Sequence, residues 1–97
     1  MTTIDFSDLH NYYQPLVYQY LLETVAVKEK IEDEELLKDI ACLALNLLPA
    51  RYVRHDVDMA FFLTTQERLT IQNSVIVAVD EALKRISQRE RKTQENS

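Results

Sequence analysis

The sequence predicts a small all-α domain, and three observations carry that prediction. The chain has 97 residues, which is the length of one small domain. It contains no glycine and only two prolines, so few positions favour a break in a helix. Hydrophobic residues make up 46% of the chain and recur mostly at helical spacing. We therefore expect one domain of three to four helices over residues 1–92, followed by a disordered tail over residues 93–97.

The first predicted helix runs from about Ser7 to Val25, with Ser7 or Asp5 as its N-cap. Pro15 conflicts with an uninterrupted helix, because it removes a backbone donor and clashes with the carbonyl of Asn11, at a cost of about 3 kcal/mol. Either the helix bends at Pro15, or it begins later and a separate turn precedes it. One stripe of the helix is apolar and consists of Leu9, Tyr13, Leu16, Val17, Tyr20 and Leu21.

The second predicted helix has clear ends. Asp33 is the expected N-cap, acidic residues follow it in the first turn, and Pro49 ends the helix. Its apolar face covers more than half of the circumference and consists of Leu36, Leu37, Ile40, Ala41, Leu43, Ala44, Leu45, Leu47 and Leu48. A narrow polar strip remains, formed by Glu35, Lys38, Asp39, Cys42 and Asn46.

The third predicted helix begins with a capping box, in which Thr64 is the cap and Glu67 the residue three positions later. We expect it to continue to about Arg89. Its main apolar stripe consists of Leu69, Ile76, Val79, Leu83 and Ile86. A second apolar row beside it consists of Ile71, Val75, Ala78 and Ala82.

The apolar faces of the second and third helices are wider than the core of one three-helix domain needs. Because a domain of this size buries only about 60% to 65% of its unfolded surface, the surplus favours a partner. A second copy related by a twofold axis is the simplest partner, so we expect a homodimer. Alternatively, the first helix and the segment Met59–Leu63 cover the surplus within one chain.

Composition excludes several classes of protein. Without glycine, the chain cannot form a Walker loop, a dinucleotide-binding turn or a nucleophile elbow. One cysteine cannot form an intrachain disulfide or a thiolate zinc site. The net charge of −5 argues against nucleic-acid binding. No apolar run exceeds six residues and the N-terminal segment contains the acids Asp5 and Asp8, so we expect a cytoplasmic protein without contact to a membrane.

The segment between the second and third helices has the composition of a binding site. Within eight positions it places Arg51, Tyr52, Arg54, His55, Asp56 and Asp58. The alternation of Tyr52, Arg54, Asp56 and Asp58 with Val53, His55 and Val57 predicts an extended connector, with Val53 and Val57 facing inward and the first four side chains facing outward together. Arginine binds phosphate or the guanine edge, a carboxylate accepts from guanine donors, and tyrosine stacks on a base, so the set suits a purine nucleotide. Alternatively, the two arginines pair with neighbouring aspartates or with the acidic cluster between Glu29 and Asp39.

Three stretches of the chain resemble the late competence protein ComFB family of small bacterial helical domains. They are DLHNYY at residues 8–13, ALNLLPARYV at residues 44–53 and DVDMAFFL at residues 56–63. The resemblance implies a homodimer and, for some members, a receptor for cyclic di-GMP or cyclic di-AMP that signals to a downstream protein. Carried over residue by residue, it implies ligand contacts from Arg51, Tyr52, Arg54 and Asp56 or Asp58, with Asn46 in support.

Metal binding and catalysis are not expected. Some ComFB relatives bind zinc through several cysteines, whereas this chain has only Cys42, so that site does not transfer. His10 and His55 lie near aspartates, but nothing in the sequence brings them together as ligands, and we expect them beside the bound nucleotide instead. We therefore expect a receptor without enzymatic activity or a resident cofactor. The alternative is a ligand-free adaptor that binds other proteins.

Overall fold

The computed structural model describes residues 3–95, with residues 56, 58, 60 and 90–95 described by their backbone alone. The elements are β1 (His10–Asn11), α1 (Tyr13–Tyr20), a π-helical segment (Leu21–Val25), α2 (Ala26–Lys28), α3 (Glu34–Leu47), β2 (Tyr52–Val53), α4 (Asp56–Phe62) and α5 (Thr65–Glu95). The chain is mainly helical, as predicted. The two strands pair antiparallel, and this small sheet was not predicted.

The first helix begins at Tyr13 rather than at Ser7. Pro15 is therefore its third residue, and its missing donor has no effect because the first four backbone N–H groups of a helix have no partner within it. The late start predicted as one alternative is confirmed. Ser7 and Asp5 do not cap the helix: the Asp5 carboxylate accepts a hydrogen bond from the Ser7 N–H in a preceding turn. Leu9 precedes the helix and is exposed.

The first helix also continues beyond its predicted end at Val25, and a π-helical segment precedes its last turn. After the π-helical segment, α2 continues to Lys28. The N–H of Ile31 then donates to the carbonyl of Ala26, and the N–H of Lys30 to the carbonyl of Val27, which is the Schellman pattern of helix ends. Lys30 takes the left-handed backbone conformation of this motif, with φ 54°, where glycine is usual.

The second helix forms as predicted. One carboxylate oxygen of Asp33 accepts from the N–H groups of Glu35 at 3.0 Å and Leu36 at 3.4 Å. The helix ends at Leu47, two residues before Pro49. Its most deeply buried residues are Ile40, Ala41 and Ala44.

The long final helix begins at the predicted cap, because the Thr64 hydroxyl accepts from the Glu67 N–H at 3.1 Å. It continues past Arg89 to Glu95 and so includes the first residues of the expected tail, while residues 96 and 97 lie outside the described ones. The predicted main stripe is partly wrong. The buried face consists of Ile71, Val75, Ala78, Val79 and Ala82, whereas Leu69 and Ile76 are exposed. The row that was predicted as secondary is buried because α5 packs against both α1 and α3.

The core lies where α1, α3 and α5 meet, and it includes the fully buried Val17, Ile40 and Val79. Met59 and Leu63 join it from α4 and the residue that follows. The molecule is flat, with extents of 54 × 42 × 21 Å. Its radius of gyration is 16.2 Å, against about 13 Å for a typical domain of this length. The single chain therefore leaves more surface exposed than a typical monomer.

Candidate ligand-binding site on the connector

The strand pair holds the connector, which we define as residues 49–55, against the start of α1. His10 lies opposite Val53, and Asn11 lies opposite Tyr52. The N–H of the next residue, Tyr12, donates to the carbonyl of Arg51 at 2.6 Å. The connector is therefore fixed to the first helix rather than free between two helices.

Asn11 strengthens this link through its side chain. Its Oδ1 accepts from the Tyr13 N–H at 3.1 Å and from the Arg51 N–H at 3.2 Å. The same oxygen thus satisfies a donor at the start of α1 and a donor of the connector. This role of Asn11 was not predicted. The available signal was an asparagine two residues before a helix start, a position where its side chain commonly bonds to the backbone.

The two arginines of the connector differ in their contacts. The Arg54 Nε lies 3.1 Å from Asp8 Oδ2, with the two side chains 64% and 45% exposed. Arg54 therefore pairs with a carboxylate of this chain, but that carboxylate is Asp8 of the N-terminal segment, which the alternative did not name. An exposed pair of this kind contributes about 0 to 1 kcal/mol, so a ligand phosphate can replace the aspartate. The exposed Arg51 guanidinium has no partner among the described side chains.

Tyr52 projects from β2 with 70% of its surface exposed, while Val53 is half-buried. The predicted alternation therefore holds within the strand. Beyond it the prediction of an extended connector is wrong, because α4 begins at Asp56 and leaves Val57 exposed. The helix forms there because Met59 and Leu63, one turn apart, can enter the core together.

The side chains of the two predicted aspartates, Asp56 and Asp58, lie outside the described ones, although their backbone belongs to α4. Their contacts with a ligand stay a prediction. His55 is exposed and stands at the N-cap position of α4 without a side-chain capping bond. His10 is half-buried on β1, with its Nδ1 3.1 Å from the carbonyl oxygen of Asp8.

Asn46 is not joined to this group by any described hydrogen bond. Its Nδ2 donates to the carbonyl of Cys42 at 3.0 Å, one turn earlier in α3, and lies 3.8 Å from the sulfur of the same residue. Cys42 itself is exposed. The strand pair therefore brings together His10, Arg51, Tyr52 and Arg54, but leaves Asn46 on a separate helix surface.

The described residues outline several surface hollows. One of about 570 Å³ lies between the end of α3 and α5 and touches the connector at Pro49. Another, of about 580 Å³, lies between α1 and α3 and is lined mainly by apolar groups, among them Tyr18, Leu22 and Leu45. Two smaller ones lie between α1 and α5. Arg51, Tyr52 and Arg54 line none of these four hollows.

Among the side chains that the structure describes, no three of the His, Cys, Asp and Glu residues stand close enough to hold a metal ion. Within residues 3–95, no helix has both the length and the apolar character needed to cross a membrane.

Comparison with known proteins gives a family. The model of the family described as Late competence development protein ComFB matches residues 10–90. No curated protein and no solved structure matches the chain. The matched range begins at β1, includes the connector and the whole helical core, and ends within α5. This match confirms the resemblance seen in the three sequence stretches, and the chain belongs to the ComFB family.

Proposed function

We propose that this protein is a non-enzymatic receptor for a cyclic dinucleotide, cyclic di-GMP or cyclic di-AMP, that acts as a homodimer and signals to a partner protein. The observation that supports it most is that a cation and an aromatic ring, Arg51 and Tyr52, occupy consecutive positions of a connector held by the strand pair. Both side chains are exposed, and the Arg51 guanidinium has no partner among the described side chains. A cationic donor for a phosphate and an open aromatic ring for a base are groups that suit a nucleotide.

Each group has a chemical role in this proposal. Arg51 donates charge-assisted hydrogen bonds to a phosphate, and Arg54 does the same after exchanging Asp8 for the ligand. Tyr52 stacks on a base. Asp56 or Asp58 accepts hydrogen bonds from a guanine if the ligand carries one. His10 on β1 and His55 after β2 offer further donors, whereas the proposal does not depend on Asn46.

A thermal-shift panel tests whether the ligand class is right. Cyclic di-GMP, cyclic di-AMP, the linear dinucleotides and the mononucleotides are added separately to the protein. A ligand that binds only the folded state raises the melting temperature, so we expect a rise with at least one cyclic dinucleotide and a smaller one with its linear form. Equal melting temperatures across the whole panel would contradict the receptor proposal.

The connector arginines provide the first prediction. Replacing both, Arg51→Ala with Arg54→Ala, should weaken binding of the cyclic dinucleotide at least tenfold in calorimetry, because both phosphate donors are lost. The circular dichroism of the variant should stay unchanged, since both side chains are exposed.

A second double variant controls for net charge. Lys38→Ala with Arg85→Ala removes the same two positive charges from exposed positions on α3 and α5, where they pair with glutamates of their own helices. We expect this variant to bind like the unaltered protein. Full affinity in the connector variant, or an equal loss in the control, would place the ligand elsewhere.

One observation favours a second function, that of a ligand-free adaptor. Phe61 and Phe62 of α4 are 83% and 79% exposed, and exposed neighbouring aromatic rings are typical of protein interaction surfaces. The panel above separates the two functions. An adaptor would show no ligand-induced shift and would lose binding of its partner protein when these rings are replaced.

A further inference from the structure

We propose that the groove between α1 and α3 binds an amphipathic helix of a partner protein, in which basic residues flank the apolar stripe. The groove is the hollow of about 580 Å³ that Tyr18, Leu22, Leu37, Ala41 and Leu45 line. The proposed function includes a partner protein but does not say where that partner binds, so this inference goes beyond it. It stands on the fold and does not depend on binding of a cyclic dinucleotide.

The α3 wall of the groove has a shape that can receive side chains of another helix. Leu37, Ala41 and Leu45 follow one another at intervals of one turn, so they form a row along α3. The methyl group of Ala41 is much shorter than the leucine side chain on either side of it, so the row has a depression in its middle. Where two helices pack, a side chain of one fits into such a hole in the other.

The opposite wall exposes two larger side chains. Tyr18 of α1 and Leu22 of the π-helical segment are 44% and 56% exposed, and both line the groove. Turns of π-helix are rare and occur frequently at functional sites. A side chain seated over Ala41 would contact this wall as well, so apolar groups of both walls would leave water together.

Both walls of the groove are helical, and this decides the form of the occupant. The backbone groups inside a helix bond to one another, so an extended peptide finds no backbone partner there. A helix brings its own backbone bonds and contributes side chains alone. The α3 wall runs from Glu34 to Leu45, which is about 17 Å. Three turns of a partner helix have about that length and present apolar residues at positions i, i+4 and i+7.

Charge complementarity decides which residues flank that stripe. Residues 29–39 carry six acids and two lysines, all of them exposed. Glu34 lines the groove, and the Lys38 Nζ beside it lies 3.5 Å from Glu34 and 3.6 Å from Glu35. The end of the groove at the start of α3 is therefore negative, and a partner helix with lysines or arginines beside its stripe complements it.

A second copy of this chain suits the groove less well. Two copies repel each other, because each carries a net charge of −5. Five basic residues of the chain lie from Lys84 to Lys92 in α5, and Ile86 is the one apolar residue of that run. The run has charge but no apolar stripe, so it cannot fill the depression over Ala41. The occupant is therefore a different protein.

Fluorescence anisotropy with a labelled synthetic peptide tests the groove. The probe is a helix-forming peptide of about 12 residues, with leucines at positions i, i+4 and i+7 and lysines beside them. One control peptide has glutamates in place of the lysines. The other has the composition of the probe, with the leucines distributed around the helix. We expect the probe to bind at least tenfold more tightly than either control, because only the probe matches both the shape and the charge of the groove.

Two leucines that are both 56% exposed provide matched variants. Leu22→Gln removes an apolar group from the groove, whereas Leu69→Gln makes the same replacement in a hollow between α1 and α5. We expect Leu22→Gln to weaken binding of the probe at least fivefold and Leu69→Gln to leave it unchanged. Both variants should keep the circular dichroism of the unaltered protein, since neither side chain is buried.

A second pair of variants tests the charge of the groove. Glu34→Gln with Glu35→Gln should weaken binding of the probe at least threefold in 20 mM salt, and the difference should shrink in 500 mM salt, where the charges are screened. Glu67→Gln with Glu81→Gln removes the same charge from α5 and should leave the affinity unchanged. An equal loss in both double variants would mean that the probe responds to net charge and not to the groove.

Failure of this inference is distinguishable from failure of the receptor proposal. Equal affinity of the three peptides, undiminished binding by Leu22→Gln, or an equal loss in Leu69→Gln would overturn the groove. If Leu22→Gln alone converts a dimer into a monomer in light scattering, the occupant is a second copy and the inference is wrong. Specific binding of the probe by a protein that no cyclic dinucleotide stabilises would uphold the groove and overturn the receptor.

Discussion

Asn11 links two segments of the chain that lie 40 positions apart. Its side-chain oxygen accepts from the backbone of Arg51 as well as from that of Tyr13, and the side chain is half-buried. A donor left without a partner in such a place costs more than the bond itself contributes. The position of the candidate binding residues therefore depends on a residue that does not itself belong to the predicted site.

Replacing Asn11 tests this dependence. Asn11→Ala should lower the free energy of unfolding by about 1 to 2 kcal/mol, because two backbone donors lose their acceptor. Urea unfolding measures this as a lower midpoint at an unchanged slope. Asn46→Ala is the control, since its amide donates to its own helix, and we expect a change below about 0.5 kcal/mol. Equal midpoints for the two variants would show that the link contributes nothing to stability.

The ends of the helices show how far local sequence determines this fold. The starts at Asp33 and Thr64 were predicted because the signal lies in the residues themselves, a polar side chain placed to accept from the next turn. The start of the first helix was predicted only as an alternative to a bend at Pro15. The strand pair and the Asp8 contact of Arg54 were missed, because each joins residues more than 35 positions apart and no local pattern reveals them.

The helix α4 was missed for a different reason. Alternating polar and apolar residues from Tyr52 to Asp58 fit a strand, but the choice of a helix depends on whether Met59 and Leu63 reach the core. Whether these two side chains reach the core is decided by the tertiary structure and not by the sequence of the segment itself. Among the candidate site residues, the exposure of Tyr52 followed from the alternation, whereas the exposure of Arg51 and the partner of Arg54 did not.

The end of the first helix allows a prediction about stability. Lys30 takes a left-handed conformation, which costs a residue with a Cβ roughly 1 kcal/mol relative to glycine. Lys30→Gly should therefore raise stability by about 0.5 to 1 kcal/mol and the melting temperature by about 2 to 8 °C. Calorimetric melting measures the shift.

Lys28→Gly controls for the lost lysine, since it removes the same charge from the last helical residue. Glycine within a helix is unfavourable by about 1 kcal/mol, so this variant should melt at a lower temperature. A lower melting temperature for both variants would mean that the left-handed conformation of Lys30 stores no removable strain.

The flat shape and the acidic charge of the molecule have opposite effects on association between copies. The uncovered apolar surface favours association, and the net charge of −5 opposes it. In a different mode of association, the acidic cluster of one copy would meet the five basic residues that the sequence places from Lys84 to Lys92 of another. Added salt should strengthen association through apolar surface and weaken association through ion pairs.

The dependence of association on salt concentration is therefore a testable prediction. Raising sodium chloride from 20 mM to 500 mM shortens the screening length to a few ångströms and should strengthen association through the exposed apolar surface, because repulsion between acidic copies is reduced. Sedimentation equilibrium at both salt concentrations measures the dissociation constant. A dimer that dissociates in 500 mM salt would instead be held by ion pairs.

The strand pair has a consequence for the order in which the molecule assembles and opens. It closes a loop that contains both α1 and α3, and each strand has only two residues. Closing a long loop for few backbone bonds is favourable only after the enclosed helices have packed, so the pair should form late in folding. In the native state, the strand pair should open before the helical core does. The amides of residues 10–12 and 51–53 should therefore exchange with deuterium at a lower free energy of opening than the amides of Val17 or Ile40. The connector can thus separate from the body of the domain while the helical core stays intact.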